Sequence, residues 1–351
     1  MQYRRLGNSG LIVSRLAFGA LTLTRGNTMG GLATVEGAAV DALVGQALDA
    51  GVNFFDTADI YADGQSEEVL GKALASRRAE VAIATKGMAR TGPGVIQAGL
   101  SKRHLHWAIE QSLRRLGTDW VDVYIAHNDD SLTPLEETLE ALDAIVRAGK
   151  ARYVGFSNWP AWKVAAALEL QKANGWAPFT HGQMYYSLLG RDIERDLVPL
   201  TERYGTGITV WSPLVGGFLS GKYRRGREAD AGDRLSKADA PPFDPEVGLA
   251  LLETLTSVAE EVEASVAQVA LAWLLARSAV TSVIIGASKP AQLAENLGAI
   301  ALQLPAQIIE RLDALTAPPE LYPHWHWRRA ADRVVAEALR SEEPVSGGRA
   351  S

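Results

Sequence analysis

Cysteine is absent from the 351 residues, which removes disulfides, thiolate nucleophiles and cysteine zinc sites from consideration and leaves the redox compartment unreported. Charge of one sign is never concentrated: the net charge of −6 is not gathered into a long acidic or basic run, which argues against nucleic acid or a membrane surface as partner. Met1 to Ser14 alternates charged and apolar residues and lacks both a secretory apolar core and a run of about 18 apolar residues. A cytoplasmic location is expected. No fixed-period repeat or low-complexity linker interrupts the chain, so a single domain over 1–340 is expected, with 341–351 a disordered tail. What remains, 47% hydrophobic and 22% charged residues, is an ordinary globular composition suited to an enzyme of small molecules. Oligomeric state leaves no mark in it.

Short β-branched and apolar runs alternate with helix-periodic segments from Arg15 onward, the pattern of βαβ units around a parallel sheet. Eight strands are expected: Arg15 to Gly19, Val52 to Asp56, Val81 to Lys86, Val121 to His127, Ala151 to Phe156, Thr180 to Met184, Ile208 to Trp211 and Ser282 to Ile285. The fold class is therefore α/β, a (β/α)8 TIM barrel. Tyr3 to Leu6 and Leu11 to Val13, around Gly7-Asn8-Ser9-Gly10, read as a β-hairpin capping the barrel floor. Two helix starts are read as capping boxes, Thr133-Pro134 with Glu136 and Ser265 with Gln268. The first of these helices would bury Leu135, Leu139, Leu142 and Ile145 or Val146 and stop at Gly149. Leu23 to Thr34 and Arg224 to Pro245 read as extended loops.

In such a barrel, residues at the C-terminal strand ends converge on one mouth. Asp56, Lys86 and His127 end three consecutive strands there, and Tyr61 lies in the loop after the first of them. Singly, each has a structural explanation: a helix cap, a solvated strand end, a rim histidine, loop packing. Together they form a chemical unit. A tyrosine with an ordinary pKa of about 10 is a poor proton donor at neutral pH, and a neighbouring lysine ammonium stabilises its phenolate. Asp56 would hold Lys86 charged, and His127 would orient a carbonyl oxygen or relay a proton. A Schiff base on Lys86 is the rival reading, and the adjacent carboxylate opposes it.

Asp56-Thr57-Ala58-Asp59-Ile60-Tyr61, Gly64-Gln65-Ser66-Glu67, Lys86 and Tyr124-Ile125-Ala126-His127 resemble the Asp-Tyr-Lys-His tetrad of the aldo-keto reductases. The resemblance, of bacterial type and close to the branch of potassium-channel β subunits, runs from the hairpin at Tyr3 to about Pro319. It implies an NADPH-dependent oxidoreductase that reduces an aldehyde or ketone reversibly, with Asp56, Tyr61, Lys86 and His127 catalytic. It further implies that Ser157, Asn158 and Gln183 bind the nicotinamide carboxamide and that Trp211 stacks on its ring, with Ser212, Pro213 and Leu214 beside it. Gly216, Lys222 and Arg234 would fold over the pyrophosphate. Gly286, Ser288, Lys289, Gln292, Glu295 and Asn296 would hold the nucleotide end, where a helix start and the Lys289 charge suit a 2′-phosphate. Channel β subunits hold a cofactor while regulating a partner, and they depart from the tetrad at the histidine position, whereas this chain keeps His127.

Two other motifs fail on a missing residue. Gly216, Gly221 and Lys222 have phosphate-loop spacing, but Tyr223 stands where Ser or Thr must bind magnesium. No Gly-x-Gly-x-x-Gly follows the first strand, so a doubly wound dinucleotide fold is not indicated. Trp159, beside Asn158, is expected to touch substrate; Trp162, Tyr322, Trp325 and Trp327 are alternative wall or packing residues. His324 and His326 flank Trp325 without a carboxylate cluster, so no metal site is expected. Asn128-Asp129-Asp130 and the glycine-rich Leu23 to Thr34 depart from the family pattern at the pocket edge, which leaves the carbonyl substrate open.

Overall fold

The computed structural model describes residues 1–26, 31–223, 241–330 and 332–339. They fall into two units, Met1–Thr316 and the described residues from Ala317 onward. The tail from 341, Arg234, and parts of both long loops (27–30 and 224–240) lie outside the described residues.

The first unit is a closed barrel of eight parallel strands: β3 (Leu16–Gly19), β4 (Phe54–Asp56), β5 (Ala82–Gly87), β6 (Val121–Ala126), β7 (Ala151–Ser157), β8 (Phe179–Tyr185), β9 (Gly207–Trp211) and β10 (Val280–Ile285), with β10 closing on β3. The fold is a (β/α)8 barrel. β1 (Tyr3–Arg5) and β2 (Ile12–Ser14) form the antiparallel hairpin. Its Leu6 and Val13 are fully buried with Phe54, Val123, Ile125 and Ile284, so the hairpin plugs the lumen from below.

β6 shows why the strands read as continuous apolar runs. Val123 and Ile125 join the lumen cluster, while Tyr124 and Ala126 pack outward against the helices. Both faces are dry, as parallel strands between a lumen and a helical shell require. Burying each such side chain stabilises the fold by about 1.5–3 kcal/mol.

The shell comprises α1 (Ala38–Asp49), α2 (Gln65–Leu74), α3 (Lys102–Leu116), α4 (Leu135–Arg147), α5 (Ala161–Asn174), α6 (Leu197–Tyr204), α7 (Pro245–Glu261), α8 (Val266–Leu275), α9 (Pro290–Gly298) and α10 (Ala306–Leu315). The Ser265–Gln268 capping box opens α8 with both reciprocal bonds present. The box expected at Thr133 does not form: Pro134, in an extended conformation, is itself the cap of α4. The Thr133 hydroxyl donates instead to Asp130 Oδ2 at 2.6 Å, a carboxylate three residues back. The helix buries Leu139, Leu142 and Ile145 and ends at Arg147, with Gly149 just beyond at φ 73°.

Candidate active site

Three consecutive strands deliver three side chains to the same point. Asp56 is the last residue of β4, Lys86 lies one residue before the end of β5, and His127 directly follows β6. Tyr61 opens a short turn after β4. The register pairs Asp56 with Ala84 and Lys86 with Ile125, so the strand ends rise in step around the mouth.

Lys86 is fully buried, at 0% exposure. Its ammonium donates to Asp56 Oδ2 at 2.7 Å, to the Thr57 carbonyl at 2.7 Å and to the Tyr61 hydroxyl at 3.3 Å. These three bonds use all three of its donors. Burial alone would discharge the amine, but the Asp56 carboxylate, then Tyr61, turns the balance and raises its pKa. A Schiff-base lysine must be neutral and free to attack, and Lys86 is neither.

Asp56 is in turn held from its other side by Gln183, whose Nε2 donates to Oδ1 at 2.7 Å. The sequence places Gln183 on the cofactor and gives no sign of this bond, because it joins residues 127 positions apart.

The Tyr61 and His127 rings meet edge to face, with centroids 5.9 Å apart. Burial, and secondly the Lys86 charge, push the His127 pKa down to about 3. The imidazole is therefore neutral at any ordinary pH. It can orient a substrate oxygen through an N–H but holds no proton to relay as an imidazolium.

Beyond the tetrad, Asn158 carries the next layer of the mouth. Trp211 Nε1 donates to Asn158 Oδ1 at 3.0 Å, and the Asn158 amide donates to Asn128 Oδ1, Ser157 Oγ and the His127 carbonyl at 2.9, 3.0 and 3.2 Å. Ser157 Oγ donates to the Gln183 carbonyl at 2.8 Å. Tyr185, two residues after Gln183 on the same strand, supports the Trp211 ring at 5.2 Å. Period-two alternation along β8 would have exposed Tyr185 as a partner of the mouth.

Backbone strain concentrates here. Ala62, Asp63, Met88, Asn158, Ser212 and Val215 all take positive φ without being glycine, and all lie in segments leaving the C-terminal ends of strands. Each such conformation costs on the order of 1–3 kcal/mol and persists where the surroundings enforce it. Ser212 Oγ accepts from Gly216 N at 3.2 Å, which ties the turn after β9; Pro213 is buried and Leu214 half-buried in it. Lys222 is exposed, with its ammonium 5.1 Å from the Tyr223 ring centre.

After β10, Ser288 and Lys289 precede the first turn of α9, with Lys289 as the cap. Both the backbone N–H and the hydroxyl of Ser288 donate to Gln292 Oε1 at 3.1 Å, and Asn296 Nδ2 donates to the Gly286 carbonyl at 3.4 Å. Gln292 and Asn296 thus shape the 286–289 loop, while Lys289 and Glu295 are exposed.

The profile of the Aldo/keto reductase family matches residues 15–317. The chain belongs to the aldo/keto reductase family. Among its relatives is a probable voltage-gated potassium channel subunit beta of Oryza sativa subsp. japonica, 37% identical over 90% of this chain and 96% of the relative. A putative channel subunit beta of Schizosaccharomyces pombe is 38% identical over 89% and 92% of the two chains. One from Arabidopsis thaliana is 36% identical over 86% and 91%.

One residue expected at the mouth is elsewhere. Trp159, expected to touch substrate, is 1% exposed and packs against Phe156 and Phe179 with ring centroids 6.3 and 5.5 Å away. Its ring is taken up by this aromatic packing, with the Lys163 ammonium 5.3 Å from its centre. Trp162, at the start of α5, is the exposed one. Tyr322, Trp325 and Trp327 belong to the second unit.

Proposed function

We propose that this chain is an NADP(H)-dependent carbonyl reductase that interconverts an aldehyde or ketone and its alcohol. The observation that carries the reading is Lys86, a buried, charged lysine whose three donors go to Asp56, Thr57 and Tyr61. Nothing in the packing of the barrel calls for a buried ammonium; acid–base chemistry at Tyr61 does.

The mouth fits a nicotinamide dinucleotide. Trp211, half-buried and held by Asn158 and Tyr185, offers a ring face of fixed orientation. Ser157, Asn158 and Gln183 line the strand ends beside it, Asn158 being the exposed member whose amide would turn to a carboxamide. Ser212 to Gly216, with Lys222, would lie along the pyrophosphate. Ser288 and Lys289 at the start of α9 join a positive helix end to a formal charge, which suits a 2′-phosphate over a free hydroxyl. When bound, the dihydronicotinamide supplies a hydride to the carbonyl carbon.

The remaining chemistry lies with the tetrad. Neutral His127 orients the substrate oxygen toward Tyr61. Tyr61 gives its phenolic proton to that oxygen as negative charge develops there, and the Lys86 ammonium at 3.3 Å stabilises the phenolate left behind. Asp56, fastened by Gln183, keeps Lys86 protonated and in line. In the oxidative direction the same groups act in reverse. A cytoplasmic location and small-molecule partners accompany this reading.

The names of the relatives favour a second reading, a subunit that holds its cofactor and regulates a channel. The two part on turnover. Purified protein with NADPH and a panel of aromatic aldehydes, cyclic ketones and keto-sugars is followed by absorbance of the reduced nicotinamide. Multiple turnovers on any of them support the reductase. A single stoichiometric oxidation followed by tight retention of NADP supports the regulatory subunit.

A further inference from the structure

The floor of the barrel, opposite the mouth, holds cations with no use in the proposed chemistry. Arg15, just before β3, is only 3% exposed. It donates to the backbone carbonyls of Val280 (2.9 Å) and Leu275, and its Nε has no partner. Burial, and then the charge of Arg4, lower its pKa to about 10. Arg4 itself reaches the Ser278 and Val280 carbonyls, both at 3.0 Å. Two guanidinium groups therefore converge on the single carbonyl oxygen of Val280, where like charges repel.

Beside them lies a cavity of about 260 Å³, lined among others by Arg4, Arg5, Glu202, Thr206 and Thr281. Thr206 is 8% exposed, and its buried hydroxyl finds no partner. Arg5 is exposed on the same wall.

From this convergence of arginines on a cavity, we infer that the barrel floor is a binding site for a small tetrahedral oxyanion, phosphate or a phosphate monoester. Arg4 and Arg5 supply forked donors of the kind that match phosphate oxygens. Arg15 adds long-range positive potential from below. Glu202 stands in the same wall and opposes an anion, so it sets an upper limit on affinity.

The test is calorimetric titration of the whole protein with inorganic phosphate at constant ionic strength. A saturable site should weaken about tenfold in Arg5→Ala, tighten several-fold in Glu202→Gln, and be unchanged in Lys289→Ala, which alters only the cofactor end of the mouth. Glycerol 3-phosphate, titrated in parallel, separates the two sources: tighter binding than phosphate assigns an ester as the ligand, weaker binding the free ion. The inference is overturned if the wild type shows no saturable binding, or if binding is unweakened in Arg5→Ala, whatever Lys289→Ala does. None of these outcomes bears on turnover at the mouth.

Discussion

Two buried cations at opposite ends of one barrel are treated in opposite ways. Lys86, at the mouth, meets a carboxylate, a carbonyl and a phenol, and its pKa rises. Arg15, at the floor, meets carbonyls and another arginine, and its pKa falls to about 10. Both side chains are almost wholly removed from water, so burial does not separate them; the partner does. A carboxylate turns a buried charge into a fixed electrostatic tool, whereas carbonyls only accommodate one. The comparison predicts where function and stability should come apart.

The largest effect is expected at the mouth. Tyr61→Phe keeps the ring and the cofactor groove while removing the proton donor, so reduction should fall by about 10²–10⁴-fold with NADPH affinity nearly unchanged. Steady-state kinetics and a cofactor titration check both halves. Near-native turnover in this variant would remove Tyr61 from the chemistry and erase the contrast with the floor.

Arg15→Met is the matching change at the other end. It leaves the Leu275 carbonyl without its partner, and a loss of about 1–3 kcal/mol in unfolding free energy is expected, read by urea denaturation, with kcat unaltered. A stable variant with depressed kcat would show that the two ends are coupled.

Lys289→Ala sharpens the assignment within the mouth. It should weaken NADPH binding by about tenfold or more while leaving NADH nearly untouched, the value of one charge-assisted contact. Quenching of Trp211 fluorescence reports both cofactors. An equal loss for the two would place the 2′-phosphate elsewhere.

The last comparison concerns a buried carboxyl, in the loop between Asp56 and Tyr61. Asp59 is only 3% exposed. Burial first and the Glu67 carboxylate second push its pKa up to about 8, against the Arg115 charge, the Ile60 backbone N–H and the Lys86 charge. The folded protein thus holds a proton that the unfolded chain releases near pH 3.9. Stability from this group is complete below that pH and is lost as pH rises toward 8. His127 and His181, both held neutral down to about 3 by burial and the Lys86 charge, act in the opposite sense. Unfolded histidines take up protons below about 6.5, so their stability contribution is lost as pH falls through that value toward 3. Above pH 6.5 the Asp59 slope stands alone among the three, at most about 1.4 kcal/mol per pH unit. Urea midpoints between pH 6.5 and 8 should fall in the wild type and flatten in Asp59→Asn. A wild-type midpoint that does not fall would mean Asp59 is already ionised in the fold.

Much of this was legible in the residues. The alternation of apolar runs and helical periods along the chain yields eight strands, because a parallel barrel buries both strand faces and must write them as apolar runs. The tetrad was legible because Asp56, Lys86 and His127 stand at or beside strand ends, where topology sends side chains to one mouth. Thr133 was misread because a capping pattern is local, and Asp130, three residues upstream, took its hydroxyl first. Trp159 was misplaced because adjacency to Asn158 in sequence says nothing of direction: Asn158 takes a positive φ, and the two side chains part, one to the mouth and one to the core.

The sequence by itself determined the strand count, the order of the units and which polar residues meet at the mouth, since each follows from periodicity or from residue type at a strand end. Tertiary structure alone decided which charges have partners. Gln183 reaches Asp56 across 127 residues, and Arg15 finds the carbonyl of Val280 rather than a carboxylate across 265. Pairings of that range depend on barrel closure, which brings the first strand against the last, and no local pattern encodes the partner that closure will supply.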